Sequence, residues 1–255
     1  MEKKVYIITG GSNGMGKYMA QRFVQDGHSV LITGRDQEKL ALAKSELSSN
    51  GNGDLETFQM DVREPDMAAG MIKEAVHKFG RVDGLINNAA GNFICPVEKM
   101  SSNGWKSVID IVLNGTFYCS KAAGDYWIEN DIKGSMINMV ATYAWDAGAG
   151  VAHSAAAKAG VLSLTKTLAV EWGHKYGIRT NAIAPGPIER TGGAEKLWQS
   201  EEAAKRTLAS VPLKRLGKPE EIAGLAAYLF SEEAAYINGE CITMDGGQHL
   251  NSFPF

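Results

Sequence analysis

The stretch VYIITGGSNGMGK, residues 5–17, decides the fold because a short apolar run breaks into glycines and then enters a helical pattern. Residues 5–8 predict a buried parallel strand, and residues 9–16 predict the turn that follows it. Gly10 allows a tight turn, Gly14 lets backbone approach a pyrophosphate, and Gly16 lets the next helix pack closely on the strand. The N-terminus of that helix would face the anion, so the candidate ligand-binding residues are Gly10, Ser12, Asn13, Gly14, Met15 and Gly16. A glycine-rich turn that binds no ligand remains the alternative for this motif alone.

Composition argues against several classes of protein. The chain has 255 residues and a formal net charge of −3, so it carries no basic footprint for nucleic acid or an anionic membrane surface. No apolar run is long enough to span a membrane, and the first strand begins too early to leave room for a signal peptide. Cys95, Cys119 and Cys241 are widely spaced, which suggests neither a disulfide framework nor a metal site. We therefore expect a single-domain cytoplasmic protein.

Strand and helix patterns alternate along the rest of the chain. Further strands are predicted at residues 29–33, 55–60, 82–86, 134–140, 178–183 and 241–244, and helices at residues 17–26, 37–49, 66–79, 104–127, 151–176 and 219–230. This alternation predicts an α/β fold whose parallel sheet is wound by right-handed crossovers, with ligands at the carboxyl ends of the strands. Residues 189–212 are polar and helical after Gly192 and Gly193, and we predict that they form a mobile lid.

The end of the second strand predicts which dinucleotide binds. In a dinucleotide fold this position faces the adenosine ribose, where an acidic side chain would accept from the free 2′-OH of NAD. Here Gly34 occupies it and Arg35 follows. A guanidinium beside an open position suits a 2′-phosphate, so the sequence predicts NADP(H) as the cofactor. The alternative is that Arg35 only caps the next helix.

Seven landmarks in order identify a family. They are TGGSNGMG at 9–16, Asp61-Val62, NNAAG at 87–91, Asn114, Lys158, PGPI at 185–188 and DGG at 245–247. The whole chain resembles the short-chain dehydrogenase/reductase family. The resemblance implies a Rossmann-like, doubly wound, seven-stranded parallel sheet with helices on both faces, a nicotinamide cofactor and a homotetramer. The further cofactor-binding residues that it implies are Asp61, Val62, Asn88, Ala89, Ala90, Gly91, Lys158, Pro185, Gly186, Pro187 and Ile188.

One departure from that family matters more than the agreements. Most members pair the lysine with a tyrosine four residues earlier and a serine at the end of the preceding strand. Here Ser154 occupies the tyrosine position and Ala141 the serine position. Tyr143, in the loop after the fifth strand, offers a replacement phenol. This arrangement, with AAGNF at 89–93, TYA at 142–144 and SAAAKAG at 154–160, is similar to the 2,4-dienoyl-CoA reductases of the family, most of all the bacterial NADPH-dependent members.

That similarity implies a chemistry and its residues. Hydride from NADPH would reduce a 2,4-dienoyl-CoA to a 3-enoyl-CoA in the β-oxidation of unsaturated fatty acids, while negative charge develops on the thioester oxygen. The implied catalytic residues are Tyr143 and Asn92 as donors to that oxygen, Lys158 on the nicotinamide ribose, Ser154 in the same cluster, and Asn114 bending its helix around a water linked to Lys158. Asp61 would accept from the adenine amine. The implied acyl-CoA contacts are Arg63, Phe93, Ser101 and Tyr143, with Arg190 and Lys196 of the lid as weaker candidates.

Several alternatives stay open at this point. Lys158 could snorkel from an apolar helix, Tyr143 could be a surface aromatic, and Asn92 could be a turn residue. For the whole chain, the alternatives are a reductase of another enoyl or carbonyl substrate, and an NADP-binding sensor that has lost catalysis along with the usual tyrosine.

Overall fold

The chain alternates between strands and helices throughout the computed structural model, which describes residues 2–48, 51–191 and 201–251. The strands are β1 Val5–Thr9, β2 Ser29–Gly34, β3 Leu55–Gln59, β4 Gly84–Asn87, β5 Ser135–Met139, β6 Arg179–Pro185 and β7 Cys241–Met244. The α-helices are α1 Gly14–Gln25, α2 Gln37–Ser48, α3 Pro65–Phe79, α4 Ser102–Ile109, α5 Gly115–Glu129, α6 Ala152–Tyr176, α7 Glu201–Ser210 and α8 Pro219–Phe230.

The seven strands form one parallel sheet in the order β3-β2-β1-β4-β5-β6-β7. Strand order reverses between β1 and β4, so the chain leaves these neighbours in opposite directions and opens a crevice beyond their carboxyl ends. The Rossmann-like, doubly wound, single-domain fold predicted above is confirmed. Every predicted strand is present, with bounds that differ by one or two residues, as at β4, which begins at Gly84 instead of residue 82.

Helices cover both faces of the sheet because consecutive residues of a strand point to opposite sides. Ile8 of β1 faces α1, α2 and α8 and belongs to a cluster with Phe23 and Leu229. Ile7 faces α3, α5 and α6 and belongs to a second cluster with Trp127. The indole Nε1 of Trp127 donates to the Val82 carbonyl oxygen at 2.9 Å, so this fully buried side chain satisfies its polar atom as it packs.

Local sequence signals set several helix ends. Pro65 is the first residue of α3. A backbone N–H at this position would have no acceptor within the helix, so proline, which lacks one, is tolerated there. Gly80 and Gly177 follow α3 and α6 with φ of 84° and 69°, a left-handed conformation that favours glycine at a helix end. Ser101 caps α4, since its hydroxyl oxygen accepts from the Gly104 N–H at 3.0 Å.

Two helix predictions need correction. Helix α1 begins at Gly14, three residues before the predicted Lys17, because the glycines of the turn themselves enter the helix. The single helix predicted at 104–127 is instead α4 and α5 joined by a π-helical turn at Asp110–Asn114. Of the predicted lid at 189–212, residues 192–200, with Lys196, lie outside the described residues, and α7 occupies most of the remainder.

We predict that Trp127→Ala lowers the free energy of unfolding by about 3–5 kcal/mol, because it leaves a cavity between α5 and the sheet and removes the hydrogen bond to Val82. Urea unfolding followed by circular dichroism measures this change. Glu129→Ala, at an exposed position near the end of the same helix, is the control and should change the free energy by less than about 0.5 kcal/mol. Equal stability of the two variants would contradict the assigned packing.

Candidate functional site

The glycine-rich turn between β1 and α1 has the geometry of a phosphate cradle. Gly10 and Gly14 have φ of +65° and +50°, which side chains rarely adopt. A Cβ on Gly16 would lie 2.4 Å from the Gly10 carbonyl oxygen, so only glycine fits there. Asn13 precedes α1 and makes no side-chain hydrogen bond to the first turn of the helix. These features fit the pyrophosphate of a dinucleotide, which the N–H groups of the first turn would bind.

A threonine hydroxyl joins this turn to the loop after β4. Thr9 Oγ1 accepts from the backbone N–H groups of Asn88 and Ala89, both at 3.0 Å. In return, Asn88 Nδ2 donates to the carbonyl oxygens of Thr9 and Gly10 at 3.0 and 3.1 Å. The turn and the loop that carries Asn88, Ala89, Ala90 and Gly91 are therefore fixed against each other across the crevice.

Gly34 at the end of β2 lies close to Ser12 of the glycine-rich turn. A Cβ on Gly34 would lie 3.5 Å from Ser12 Oγ, so the end of β2 faces the glycine-rich turn. Arg35 follows on the surface with its side chain exposed. An exposed cation beside this open position can take an anionic group on the ribose.

Asp61 and Arg63 form an ion pair with each other in the structure. The resemblance implies separate ligands for them, the adenine amine for Asp61 and the acyl-CoA for Arg63. Arg63 Nη2 donates to Asp61 Oδ2 at 2.6 Å, and Arg63 Nε donates to both carboxylate oxygens at 3.0 Å. The hydrogen bonds from Arg63 hold the pKa of Asp61 below its ordinary value, and the nearby Arg35 charge acts in the same direction. Val62, between them, is buried and packs directly on Gly115 of α5. A Cβ on Gly115 would lie 2.7 Å from Val62 Cγ2, so the two residues are in close contact. This ion pair was not predicted from the spacing of the two residues.

The phenol of Tyr143 meets α6 at the far side of the crevice. A 3₁₀ turn at Thr142–Ala144 follows β5, and the hydroxyl of Tyr143 lies 3.1 Å from Ser154 Oγ, on a side chain that is buried. Lys158 is one helical turn beyond Ser154 on the same face. The structure therefore brings Tyr143, Ser154 and Lys158 into one cluster, although Tyr143 comes from the loop and the other two from α6.

Lys158 is a buried cation. Its Nζ donates to the Met139 carbonyl oxygen at the end of β5. Burial lowers the pKa of Lys158 to about 8, which still leaves the ammonium mostly protonated at neutral pH.

Asn114 ends the π-helical turn and takes a different partner from the one expected. Its Nδ2 donates to Asp110 Oδ1 at 2.9 Å, within the same turn. The helix does deform at this position, as predicted, because a π turn shifts the backbone hydrogen bonds by one residue. Gly160 of α6 packs on the turn, since a Cβ there would lie 2.9 Å from Leu113 Cδ1.

Phe93 and Ser101, two of the expected acyl-CoA contacts, lie together between β4 and α4. Asn92 and Phe93 follow Gly91 in the loop after β4, and the Phe93 ring is 38% exposed. This ring packs over the start of α4, since a Cβ on Gly104 would lie 3.0 Å from Phe93 Cζ. Ser101 caps that helix. The backbone N–H of Cys95 donates to the Gly150 carbonyl oxygen at 2.9 Å, which ties this loop to the one that carries Tyr143.

The PGPI segment after β6 is clamped from two sides. The Gly186 N–H donates to the Met244 carbonyl oxygen at 2.9 Å, and a Cβ on Gly186 would lie 2.5 Å from Asp245 Cβ. Pro187 accepts from the Gly217 N–H at 3.0 Å, and Ile188 is buried. Pro185, Gly186, Pro187 and Ile188 thus stand at the carboxyl end of β6, at the same edge of the sheet as the glycine-rich turn.

Two histidines near the site were missed from the sequence. His153 is fully buried beside Ser154, and its ring lies edge-on to Phe93 with centroids 4.5 Å apart. His249 Nδ1 lies 2.7 Å from Asp245 Oδ2, and its ring is 6.1 Å from that of Trp145. The DGG landmark could have directed attention to Asp245, whereas His153 had only its position next to Ser154 as a signal.

Across residues 2–48, 51–191 and 201–251, no three His, Cys, Asp or Glu side chains are grouped so that they could hold a metal ion. In the same ranges, no helix combines the length and the apolar character that a membrane span requires.

This chain is similar to known oxidoreductases in both sequence and structure. A family model described as Enoyl-(Acyl carrier protein) reductase matches residues 10–249. A Bacillus subtilis (strain 168) protein described as Probable 2,4-dienoyl-CoA reductase, (2E)-enoyl-CoA-producing, is 68% identical over 255 residues, which cover 100% of both chains. A Danio rerio protein described as Peroxisomal 2,4-dienoyl-CoA reductase, (3E)-enoyl-CoA-producing, is 38% identical over 252 residues, or 99% of this chain and 83% of the relative. The crystal structure of a short chain dehydrogenase from Bacillus anthracis is 67% identical, with a TM-score of 0.91 and 98% of each chain covered.

We predict that burial of Lys158 makes the stability of the cofactor-free protein depend on pH. Between pH 8 and about 10.5 the unfolded lysine binds a proton that the folded one has lost, so Lys158 contributes to the free energy of unfolding a term that rises with pH, measured as the difference between the parent protein and Lys158→Met. The rise is about 1.4 kcal/mol for each unit by which the pKa is lowered. Lys158→Met should abolish it and be more stable than the parent protein at pH 7, where the parent buries a charge.

Urea unfolding at several pH values from 7 to about 10.5 measures this dependence. Lys166→Met replaces an exposed lysine on the same helix and should keep the rise. A Lys158→Met protein whose stability follows the same pH curve as the parent would show that Lys158 is not desolvated.

Proposed function

We propose, because the chain belongs to the short-chain dehydrogenase/reductase family, that it is an oxidoreductase that reduces 2,4-dienoyl-CoA to 3-enoyl-CoA with NADPH in the β-oxidation of unsaturated fatty acids. The observation that carries this proposal is the cluster in which Tyr143 approaches Ser154 at 3.1 Å, with Lys158 one helical turn away. A phenol on the loop, instead of on α6, suits a substrate whose polarised oxygen is distant from the carbon that is reduced. The relatives described as 2,4-dienoyl-CoA reductases support the same substrate class.

A bound NADPH would supply hydride to the far end of the diene. The glycine-rich turn would hold its pyrophosphate, Arg35 its 2′-phosphate, and Asp61 and Val62 its adenine. Lys158 would hold the nicotinamide ribose, and Pro185, Gly186, Pro187 and Ile188 would support the nicotinamide. The remaining contacts would come from the β4 loop, namely Asn88, Ala89, Ala90 and Gly91.

Catalysis in this proposal consists mainly of stabilising charge on the thioester oxygen. The Tyr143 hydroxyl and the Asn92 amide donate to this oxygen as it becomes an enolate, and such fixed donors are typically worth a factor of about 10²–10³ in kcat. Ser154 holds the phenol in place, and the Lys158 ammonium supplies positive charge nearby. Asn114 supports Lys158 through the π-helical turn that packs on α6.

The position of the remaining double bond depends on which carbon of the dienolate receives the proton. Protonation at the α-carbon gives a 3-enoyl product, and protonation at the γ-carbon gives a 2-enoyl product. The descriptions of the relatives differ here, since the Bacillus subtilis protein is described as (2E)-enoyl-CoA-producing and the Danio rerio protein as (3E)-enoyl-CoA-producing. We propose the 3-enoyl product, because a phenol at the thioester oxygen, or a water that it orients, is close to the α-carbon.

The acyl-CoA would lie along the wall formed by the loop after β4 and the start of α4. Phe93 and Tyr143 would flank the acyl chain, while Arg63 and Ser101 would contact the CoA portion. Arg190, a weaker candidate for a CoA phosphate, already contacts Glu220 at 2.6 Å and the Tyr18 hydroxyl at 2.8 Å. Arg63 is paired with Asp61 in the same way, at 2.6 Å, so either arginine would have to exchange a carboxylate for a phosphate of CoA.

An absorbance assay of NADPH oxidation with a short 2,4-dienoyl-CoA tests the function. We expect turnover with this substrate to exceed that with crotonyl-CoA and with a simple ketone at equal concentration. Faster reaction with either of those would favour the alternative substrates, and NADPH binding without turnover would favour a sensor. Proton NMR of the isolated product distinguishes the 3-enoyl from the 2-enoyl isomer.

We also propose a cytoplasmic homotetramer. Large apolar side chains stay exposed on the long helices, among them Trp105 of α4, Phe117 of α5 and Val170 of α6, and a second copy could cover them. Light scattering coupled to gel filtration gives the assembly state, and a monomer at micromolar concentration would contradict this part of the proposal.

We predict that Tyr143→Phe lowers kcat by about 10²–10³ while the Kd for NADPH changes by less than about threefold, because the phenol acts on the acyl substrate. Steady-state kinetics and fluorescence titration with NADPH give the two values. Tyr176→Phe removes a half-exposed phenol from the far end of α6 and should leave kcat unchanged. Full activity of Tyr143→Phe would remove Tyr143 from the mechanism.

We predict that Arg35→Ala raises the KM for NADPH at least about tenfold and that for NADH by less than about threefold, since only NADPH carries the 2′-phosphate. Arg22→Ala removes a cation from the other end of α1, where Arg22 pairs with Asp26, and serves as the control. An unchanged ratio of the two KM values in Arg35→Ala would contradict phosphate recognition by Arg35.

A further inference from the structure

Helix α6 carries Ser154 and Lys158 but begins without an ordinary cap. Val151 occupies the N-cap position and has no side chain that can accept a hydrogen bond from the first turn. Instead, the backbone N–H of Ser154, in the first turn of α6, donates to His153 Nδ1 at 2.8 Å. The residue that anchors the start of α6 is therefore the direct neighbour of Ser154.

We propose that His153 is a positioning residue for the proposed reaction: its Nδ1 caps the Ser154 N–H and thereby holds the Ser154 hydroxyl where it meets the Tyr143 phenol. This proposal rests on the proposed function for its kinetic consequences. Its structural part, the state of the imidazole, can be tested without any substrate.

The surroundings of His153 fix both the orientation and the tautomer of its ring. Because Nδ1 accepts a hydrogen bond, a neutral imidazole must carry its proton on Nε2. Nε2 is buried and has no hydrogen-bond partner among the described residues. The ring lies edge-on to Phe93, with centroids 4.5 Å apart and planes at 86°. A hydrogen bond on one side and an aromatic contact on the other hold the ring in one place.

The cap matters for chemistry because Ser154 is both the residue that is capped and the one that contacts the phenol. Its backbone N–H is held by His153, and its Oγ lies 3.1 Å from the Tyr143 hydroxyl. Without the acceptor, an N–H of the first turn loses its partner and the start of the helix can fray. Displacement of Ser154 would move the phenol away from the substrate, and a misplacement of about 1 Å in an active site can cost a factor of about 10² in rate.

Two substitutions of similar shape isolate the acceptor. Leu and Asn both branch at Cγ and both remove the ring that contacts Phe93, but only Asn keeps an oxygen close to the position of Nδ1. We expect His153→Leu to lower kcat for the dienoyl-CoA by about 10- to 100-fold. In His153→Asn, kcat should stay within about threefold of the parent, and the Kd for NADPH should change by less than about threefold in both variants.

His28 offers a matched control far from the cluster. Its Nδ1 also accepts from a backbone N–H, that of Lys4 at 3.2 Å, and its ring also lies edge-on to an aromatic ring, that of Tyr6 at 5.2 Å. His28→Leu should therefore lower stability without lowering kcat. If His153→Leu and His153→Asn have the same kcat within about threefold, or if His28→Leu loses as much activity as His153→Leu, the proposal is wrong.

A measurement on the unsubstituted protein covers the case in which His153→Leu does not fold. In protein labelled with ¹⁵N-histidine, with His153→Asn used to assign the signal, the chemical shifts should show a protonated Nε2 and an unprotonated Nδ1. A proton on Nδ1 would overturn the proposal whatever the variants do. If the parent protein fails to reduce the dienoyl-CoA, the proposed function fails, while the tautomer still decides whether His153 caps α6.

Discussion

The hydrogen bonds of the Thr9 hydroxyl are the constraint on which the rest of the site depends. This one oxygen accepts from two successive backbone N–H groups of the β4 loop, and Asn88 Nδ2 donates in return to the carbonyl oxygens of Thr9 and Gly10. The glycine-rich turn and the β4 loop leave adjacent strands and diverge, so without such a link their separation would be free to vary. Because it is fixed, the proposed phosphate site on the turn and the proposed acyl site beside the β4 loop keep a constant separation.

At the end of the crevice formed by Tyr143, Ser154 and Lys158, burial affects the Lys158 charge more than any ion pair does. Lys158 is held by the Met139 carbonyl oxygen, and burial of its ammonium lowers its pKa. The Tyr143 hydroxyl and Ser154 Oγ are the nearby polar groups of this cluster. An arrangement of this kind costs stability, and in the proposed reaction it would supply a positive potential near the developing oxyanion.

Much of the fold was predictable because its signals are local. The apolar strands, the glycines of the first turn, Pro65 and Gly177 each act within a few residues of their own position, and all seven strands were placed within one or two residues. The family resemblance implied a bend at Asn114, but the π-helical turn at Asp110–Asn114 was not predicted, because the apolar residues on both sides of it were assigned to one continuous helix. Within the site, Tyr143 and Lys158 could be paired because a family pattern lacked its usual tyrosine. The role of His153 and the ion pair between Asp61 and Arg63 depend on side-chain orientation, which spacing does not encode.

The ion pair between Asp61 and Arg63 has a thermodynamic consequence for the proposed ligands. Each partner satisfies the other in the free protein, so a group that engages one of them leaves the other with an unbalanced charge. An adenine amine on Asp61 would release Arg63 toward an anion, and an anion on Arg63 would release Asp61 toward a donor. The two ligands are then linked, and reciprocity requires that each change the affinity of the other by the same factor. Such a pair would favour occupancy of the crevice by both ligands together over occupancy by either one alone.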